Sequence, residues 1–155
     1  MRINWKKLIF CLALPLAVGA LSTFLSGGTE IYSVLNKPPL APPGWVFPVV
    51  WTILYLLMGY ASYRVCMSGA DQAEIRRAWI WYLLQLGANF VWSLLFFGQM
   101  LLLTSLLWLV VLWILIFITM RLFSKIDELA GDLLIPYLLW VTFAAYLNLG
   151  FFLLN

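Results

Sequence analysis

The sequence predicts an all-α membrane protein, a bundle of five transmembrane helices. Three observations carry that expectation: a mean hydropathy of +1.02, a composition that is 65% hydrophobic and only 10% charged, and five apolar stretches of membrane-spanning length. A soluble domain runs at about 45–50% apolar and about 25% charged residues. Six acids and nine bases cannot cover a 17.8 kDa globule in water. The composition therefore excludes soluble enzymes, nucleic-acid binders and disordered regulators, and it makes the lipid bilayer the first partner.

A spanning helix needs about 20 mostly apolar residues. The stretches are Trp5–Ser26, Trp45–Cys66, Ala78–Gly98, Leu101–Phe123 and Leu133–Leu154. In hydrocarbon the backbone must satisfy its own hydrogen bonds, which runs of this length do only as helices. Residues 1–155 thus form a single domain with no room for a soluble one.

At the first stretch Arg2, Lys6 and Lys7 precede the apolar run Leu8–Leu25, which resembles a secretory signal but exceeds the 7–15 residues typical of such segments. An uncleaved helix is expected. The loop after it, residues 27–44, holds Asn36-Lys37-Pro38-Pro39-Leu40-Ala41-Pro42-Pro43-Gly44. Proline-rich backbone is stiff and extended, so this loop is either a rigid spacer or a lid over a cavity in the bundle. In the second stretch Trp51 and Tyr55 lie one turn apart, with Pro48 a turn before them.

The third stretch places Gln85, Asn89, Trp92, Ser93 and Phe96 on one helical face. The fourth is almost wholly apolar: Thr104, Ser105 and Thr119 can bond back to their own helix, Trp108 and Trp113 read as lipid-facing bulk, and no function is assigned to it. The fifth carries Tyr137, Trp140, Ala144 and Asn148 in one stripe. Pro15 and Pro136 are expected to bend the first and fifth helices. Two readings fit the carboxamides and aromatics. They are interhelical glue, or they wall one internal cavity suited to a flat, apolar, aromatic ligand.

Charge sets the topology. Five spans gather Arg2, Lys6, Lys7, Arg64, Arg76, Arg77, Arg121 and Lys125 at one end, and leave only Lys37 at the other. Positive residues stay in the cytoplasm, so the N-terminus is expected there. The segments Met67–Arg77 and Ser124–Asp132 read as short solvated connectors. The chain has no histidine, hence no imidazole for general base work or haem ligation. Cys11 and Cys66 make neither a disulfide framework nor a zinc site, and no nucleophile–base pair supports hydrolase or transferase chemistry.

Three motifs resemble one family. Trp45-Val46-Phe47-Pro48-Val49-Val50-Trp51-Thr52-Ile53-Leu54-Tyr55, following Lys37-Pro38 and Pro42-Pro43, is similar to the second-helix signature of the tryptophan-rich sensory proteins, whose family includes the mitochondrial translocator protein. Gln85 to Gly98 resembles its third-helix motif. Pro136-Tyr137-Leu138-Leu139-Trp140 with Phe143-Ala144 and Leu147-Asn148 resembles its fifth. The resemblance covers essentially the whole chain. It implies a five-helix bundle, often a homodimer, that binds porphyrins and other tetrapyrroles, isoquinoline-type drugs and, in animals, cholesterol.

Carried over residue by residue, the implied ligand site takes Tyr32 and Pro42 from the loop, and Trp51 and Tyr55 from the second helix. It takes Asn89, Trp92 and Ser93 from the third, and Trp140 and Ala144 from the fifth. Lys37 is the base that could meet a propionate. Two departures stand out. Leu40 occupies a loop position where many relatives have tryptophan, and Tyr146 is not followed by the basic residue of the animal sterol motif. The expected function is a receptor, sensor or carrier for porphyrin in a bacterial inner membrane, with no obligatory cofactor and no metal. The alternatives are light- and oxygen-dependent porphyrin breakdown, in which Trp51 and Trp140 would be the catalytic pair, and a regulatory membrane scaffold.

Overall fold

The computed structural model describes residues 2–155 and is an all-α bundle in which five helical segments are long and apolar enough to cross a membrane. The elements are α1 (Trp5–Ser26), a 3-10 turn (Glu30–Val34), α2 (Val46–Cys66), α3 (Gln72–Ser93) continued by a π-helical turn (Leu94–Gly98), α4 (Leu102–Ile126), a short α5 (Glu128–Asp132) and α6 (Ile135–Leu154).

Local chemistry sets the boundaries. The Asn4 side chain caps α1 by accepting from the Lys7 backbone N–H at 3.2 Å. Gly27 and Gly28 end α1 in the left-handed region, at φ 84° and 80°, where a side chain would be strained. α3 starts six residues before the apolar stretch, because Gln72, Ala73 and Glu74 are good helix formers that hydropathy does not register.

Ser124–Asp132 is an exposed connector, as expected, but an ordered one. Asp127 caps α5 by accepting from the Leu129 and Ala130 backbone N–H groups and forms an ion pair with Arg64 at 3.0 Å, which ties α2 to the α4–α5 junction. One expectation for the fifth stretch is corrected: Pro136 does not bend the helix from within. It sits in the first turn of α6, where its missing N–H interrupts nothing. Met67–Arg77 is likewise mostly helix, with Glu74, Arg76 and Arg77 inside α3.

The core forms where α2, α3, α4 and α6 meet. Met58, Val65, Leu112, Ile116, Phe123, Val141 and Phe151 are fully enclosed there. α1 is the least buried span: 22% of its apolar window is buried, against 44% for α2 and α3. It still approaches α2 closely at Gly59, where a Cβ would lie 2.6 Å from the Cys11 carbonyl oxygen. The reading of Trp108 as lipid-facing bulk is corrected, since it packs on the core, whereas Trp113 is exposed on the outside of the bundle, as that reading has it. The Trp108 indole N–H donates to the Ala88 carbonyl at 2.8 Å, and that of Trp113 to the Thr142 hydroxyl at 2.9 Å. In hydrocarbon an indole N–H without an acceptor is costly, so both rings turn an edge toward a neighbouring helix.

Candidate functional site

Two polar knots fix the aromatic side chains of α3 and α6. Asn148 accepts from the Trp92 indole N–H at 3.2 Å and from the Ser105 hydroxyl at 3.1 Å, while its own amide donates to the Leu102 carbonyl at 2.9 Å. α3, α4 and α6 are thereby joined through one buried carboxamide. The second knot runs from the Asn89 amide to the Tyr137 hydroxyl at 2.9 Å, and from that hydroxyl to Gln85 Oε1 at 2.7 Å. Gln85, Asn89 and Asn148 are therefore interhelical glue, and the glue holds the rings beside them in place.

Those rings wall a cavity of about 200 Å3 between α1, α2 and α3. Trp51 and Tyr55 supply the α2 wall, stacked with centroids 5.6 Å apart and planes at 28°. Trp92 supplies the α3 wall, 6.2 Å from Trp51, with Asn89 and Ser93 beside it and Phe97 from the π turn. The opposite wall is the face of α1 formed by Gly19, Ser22, Thr23 and Ser26, and Gly28 with Thr29 roofs it. Ser22 and Thr23 donate to the Gly19 carbonyl at 2.8 and 3.0 Å, so their donors are satisfied while their oxygens can still accept. Tyr55 lies so close to α1 that a Cβ on Gly19 would sit 2.3 Å from its ring.

Of the nine residues expected at the site, Trp51, Tyr55, Asn89, Trp92 and Ser93 line this cavity. The other four stand behind Phe47. Tyr32 is buried with its ring edge-on to Phe47 at 4.7 Å and to Phe151 at 5.4 Å, and its hydroxyl donates to the Pro42 carbonyl. Burial pushes the Tyr32 phenol above its usual range, which keeps it a donor. Trp140 is 5.9 Å from Phe47 and faces a groove between α2 and α6. Ala144 borders a small gap behind Phe47, Trp92 and Phe97. Trp51 and Trp140 line different spaces, on either side of Phe47.

The loop also divides differently from the expectation. Its proline run is strapped to α6: Tyr146 donates to the Pro39 carbonyl at 2.6 Å, and Asn155 and Asn36 exchange hydrogen bonds at 3.1 and 2.9 Å. The roof itself is Gly28–Thr29. Lys37 holds its ammonium 5.0 Å above the Tyr32 ring and does not line the cavity. Sequence reasoning passed over three features. The α1 face was signalled by the 3, 1, 3 spacing of Gly19, Ser22, Thr23 and Ser26. Phe47 stood inside a quoted motif. The π turn, a distortion frequent at functional sites, left no local signal.

The profile of the TspO/MBR family matches residues 11–154. The chain is similar to the tryptophan-rich protein TspO of Chlorobaculum tepidum, with 43% identity over 96% of this chain and 95% of that one. It is also similar to the tryptophan-rich sensory protein of Cereibacter sphaeroides, with 39% identity over 100% and 95%. The translocator protein of Sus scrofa shares 33% identity over 93% and 87%.

Proposed function

The chain belongs to the TspO/MBR family, and from that premise we propose that it is an integral membrane receptor, sensor or carrier for porphyrins and similar flat hydrophobic ligands. The observation that carries the reading is the cavity itself. Trp51, Tyr55 and Trp92 line it from two helices, opposite a hydroxyl-bearing face of α1. Flat conjugated ligands bind such walls by stacking and area burial, and the Ser22, Thr23 and Asn89 oxygens offer acceptors at the margin.

Size determines what must move. Drug-sized ligands fill about 300–1,000 Å3, more than the 200 Å3 present. Phe47 is shared by the cavity and by the gap beside Ala144. Turning that one ring joins the two spaces and brings Tyr32 and Trp140 next to the ligand. α1, the least buried span, is the wall with least to lose by yielding. In this reading the N-terminus lies in the cytoplasm of a bacterium, the protein sits in the inner membrane, and two copies pair as a homodimer.

A titration of the purified protein in mild detergent, following tryptophan quenching by protoporphyrin, haem and a sterol, tests the proposal. Saturable quenching by protoporphyrin at a one-to-one ratio supports it. Quenching that rises linearly with each added ligand refutes it.

A further inference from the structure

A second concave site lies at the base-rich end of the bundle, away from the aromatic cavity. It is a groove of about 490 Å3 between the start of α1, the end of α2 and the start of α3. Its rim carries Lys6, Lys7 and Arg76, and its floor is Phe10, Ile75 and Trp79. No carboxylate lines it, and the one ion pair among the described residues is Arg64–Asp127, so these three cations are not neutralised by partners. Asp71 and Glu74 are exposed on the same first turn of α3 but do not line the groove.

Two further features favour an amphiphilic anion. Polarity changes along the bundle axis: Phe10 and Trp79 lie one helical turn deeper in their helices than Lys6 and Arg76. A headgroup at the rim would thus leave its chain over apolar side chains. In addition, Phe10 is 61% exposed inside the apolar span Trp5–Ser26.

We propose that this groove binds one anionic phospholipid, its phosphate held by Lys6, Lys7 and Arg76 and an acyl chain laid over Phe10, Ile75 and Trp79. Basic clefts between helices at the positive side of a membrane protein suit anionic headgroups, at about fivefold in affinity per basic residue. The membrane-anchored source is preferred to a free anion because half of the groove is apolar and at membrane depth.

Native mass spectrometry of the protein in zwitterionic detergent tests this, with phosphatidylglycerol and phosphatidylcholine of the same acyl chains as probes. Phosphatidylglycerol is expected to occupy one saturable site at least about tenfold more tightly. The Lys7→Gln/Arg76→Gln double variant should weaken it roughly thirtyfold, while Arg121→Gln/Lys125→Gln, at the same end but outside the groove, should not change it. Equal binding of the two lipids, or equal losses in the two double variants, overturns the proposal. Displacement of phosphatidylglycerol by millimolar inorganic phosphate also overturns it, by assigning the site to a soluble anion. If the first double variant does not fold, phosphatidylglycerol with brominated chains provides the second measurement. It should quench wild-type tryptophan emission more than that of Trp79→Phe, and equal quenching refutes the placement.

Discussion

Gly19→Ala isolates the contact between α1 and the aromatic wall. The added methyl would sit 2.3 Å from Tyr55 Cε2 and 2.9 Å from Cδ2 and Cζ, inside van der Waals contact. Tyr55 cannot retreat freely, because its other face stacks on Trp51 at 5.6 Å, so the ring must press toward the cavity or α1 must lift. Overpacking of this kind costs about 1–3 kcal/mol, and replacing a mid-helix glycine by alanine returns up to about 1 kcal/mol. The net loss of about 1 kcal/mol should lower the thermal midpoint in mild detergent by about 2–4 °C. Porphyrin affinity should fall about tenfold as the wall moves. In a Tyr55→Leu background the clash is gone, so Gly19→Ala should be neutral or stabilising, and the cycle should show a coupling of about 1–2 kcal/mol. A Gly19→Ala protein that is stabilised alike in both backgrounds would refute the reasoning, because propensity alone would then explain it.

Other expectations follow from the same geometry. Pro42→Gly/Pro43→Gly widens the unfolded ensemble, lowering stability by about 0.4–1 kcal/mol per site, and by loosening the backbone that accepts from Tyr32 should speed porphyrin release several-fold with helix content unchanged; an unchanged off-rate returns the proline run to a spacer. Trp140→Phe should weaken porphyrin binding several-fold, because a ligand reaches Trp140 once Phe47 turns. Unchanged affinity would confine the ligand to the space between α1, α2 and α3. In a Cys11→Ala/Cys66→Ala background, a cysteine added after Asn155 should be labelled from the periplasmic side of intact cells and Ala73→Cys only after lysis, with the reverse pattern contradicting the proposed orientation.

The bundle was legible because two signals are local. Hydropathy over about 20 residues marks a span, and side chains three and four apart share a face. The α3 stripe Gln85–Asn89–Trp92–Ser93 therefore emerged from spacing alone. What stayed hidden depends on packing between distant segments. The π turn at Leu94–Gly98 accompanies the seating of Phe96 and Phe97 against Phe151 and Phe47, which no local pattern encodes. Trp108 looked like lipid-facing bulk because its acceptor, the Ala88 carbonyl, belongs to another helix. The α1 face escaped because a serine or threonine that can bond to its own helix looks satisfied, although its oxygen still accepts. Trp140 shares a stripe with Asn148 in sequence, yet Phe47 intervenes in space, and periodicity gives a face without saying what stands in front of it.

Porphyrin binding by the cavity is tested most directly by comparing two tryptophans. Trp51 lines the cavity, whereas Trp113 stacks on Phe117 at 5.7 Å on the far side of the bundle. Aromatic stacking is worth about 1–3 kcal/mol per partner. Trp51→Phe, which keeps a ring but loses indole area and the N–H, is expected to weaken protoporphyrin binding by several-fold to about a hundredfold, read from the porphyrin's own fluorescence. Trp113→Phe should leave the affinity at the wild-type value. Equal affinities for both variants, whether both reduced or both unchanged, would contradict the assignment of the cavity as the ligand site.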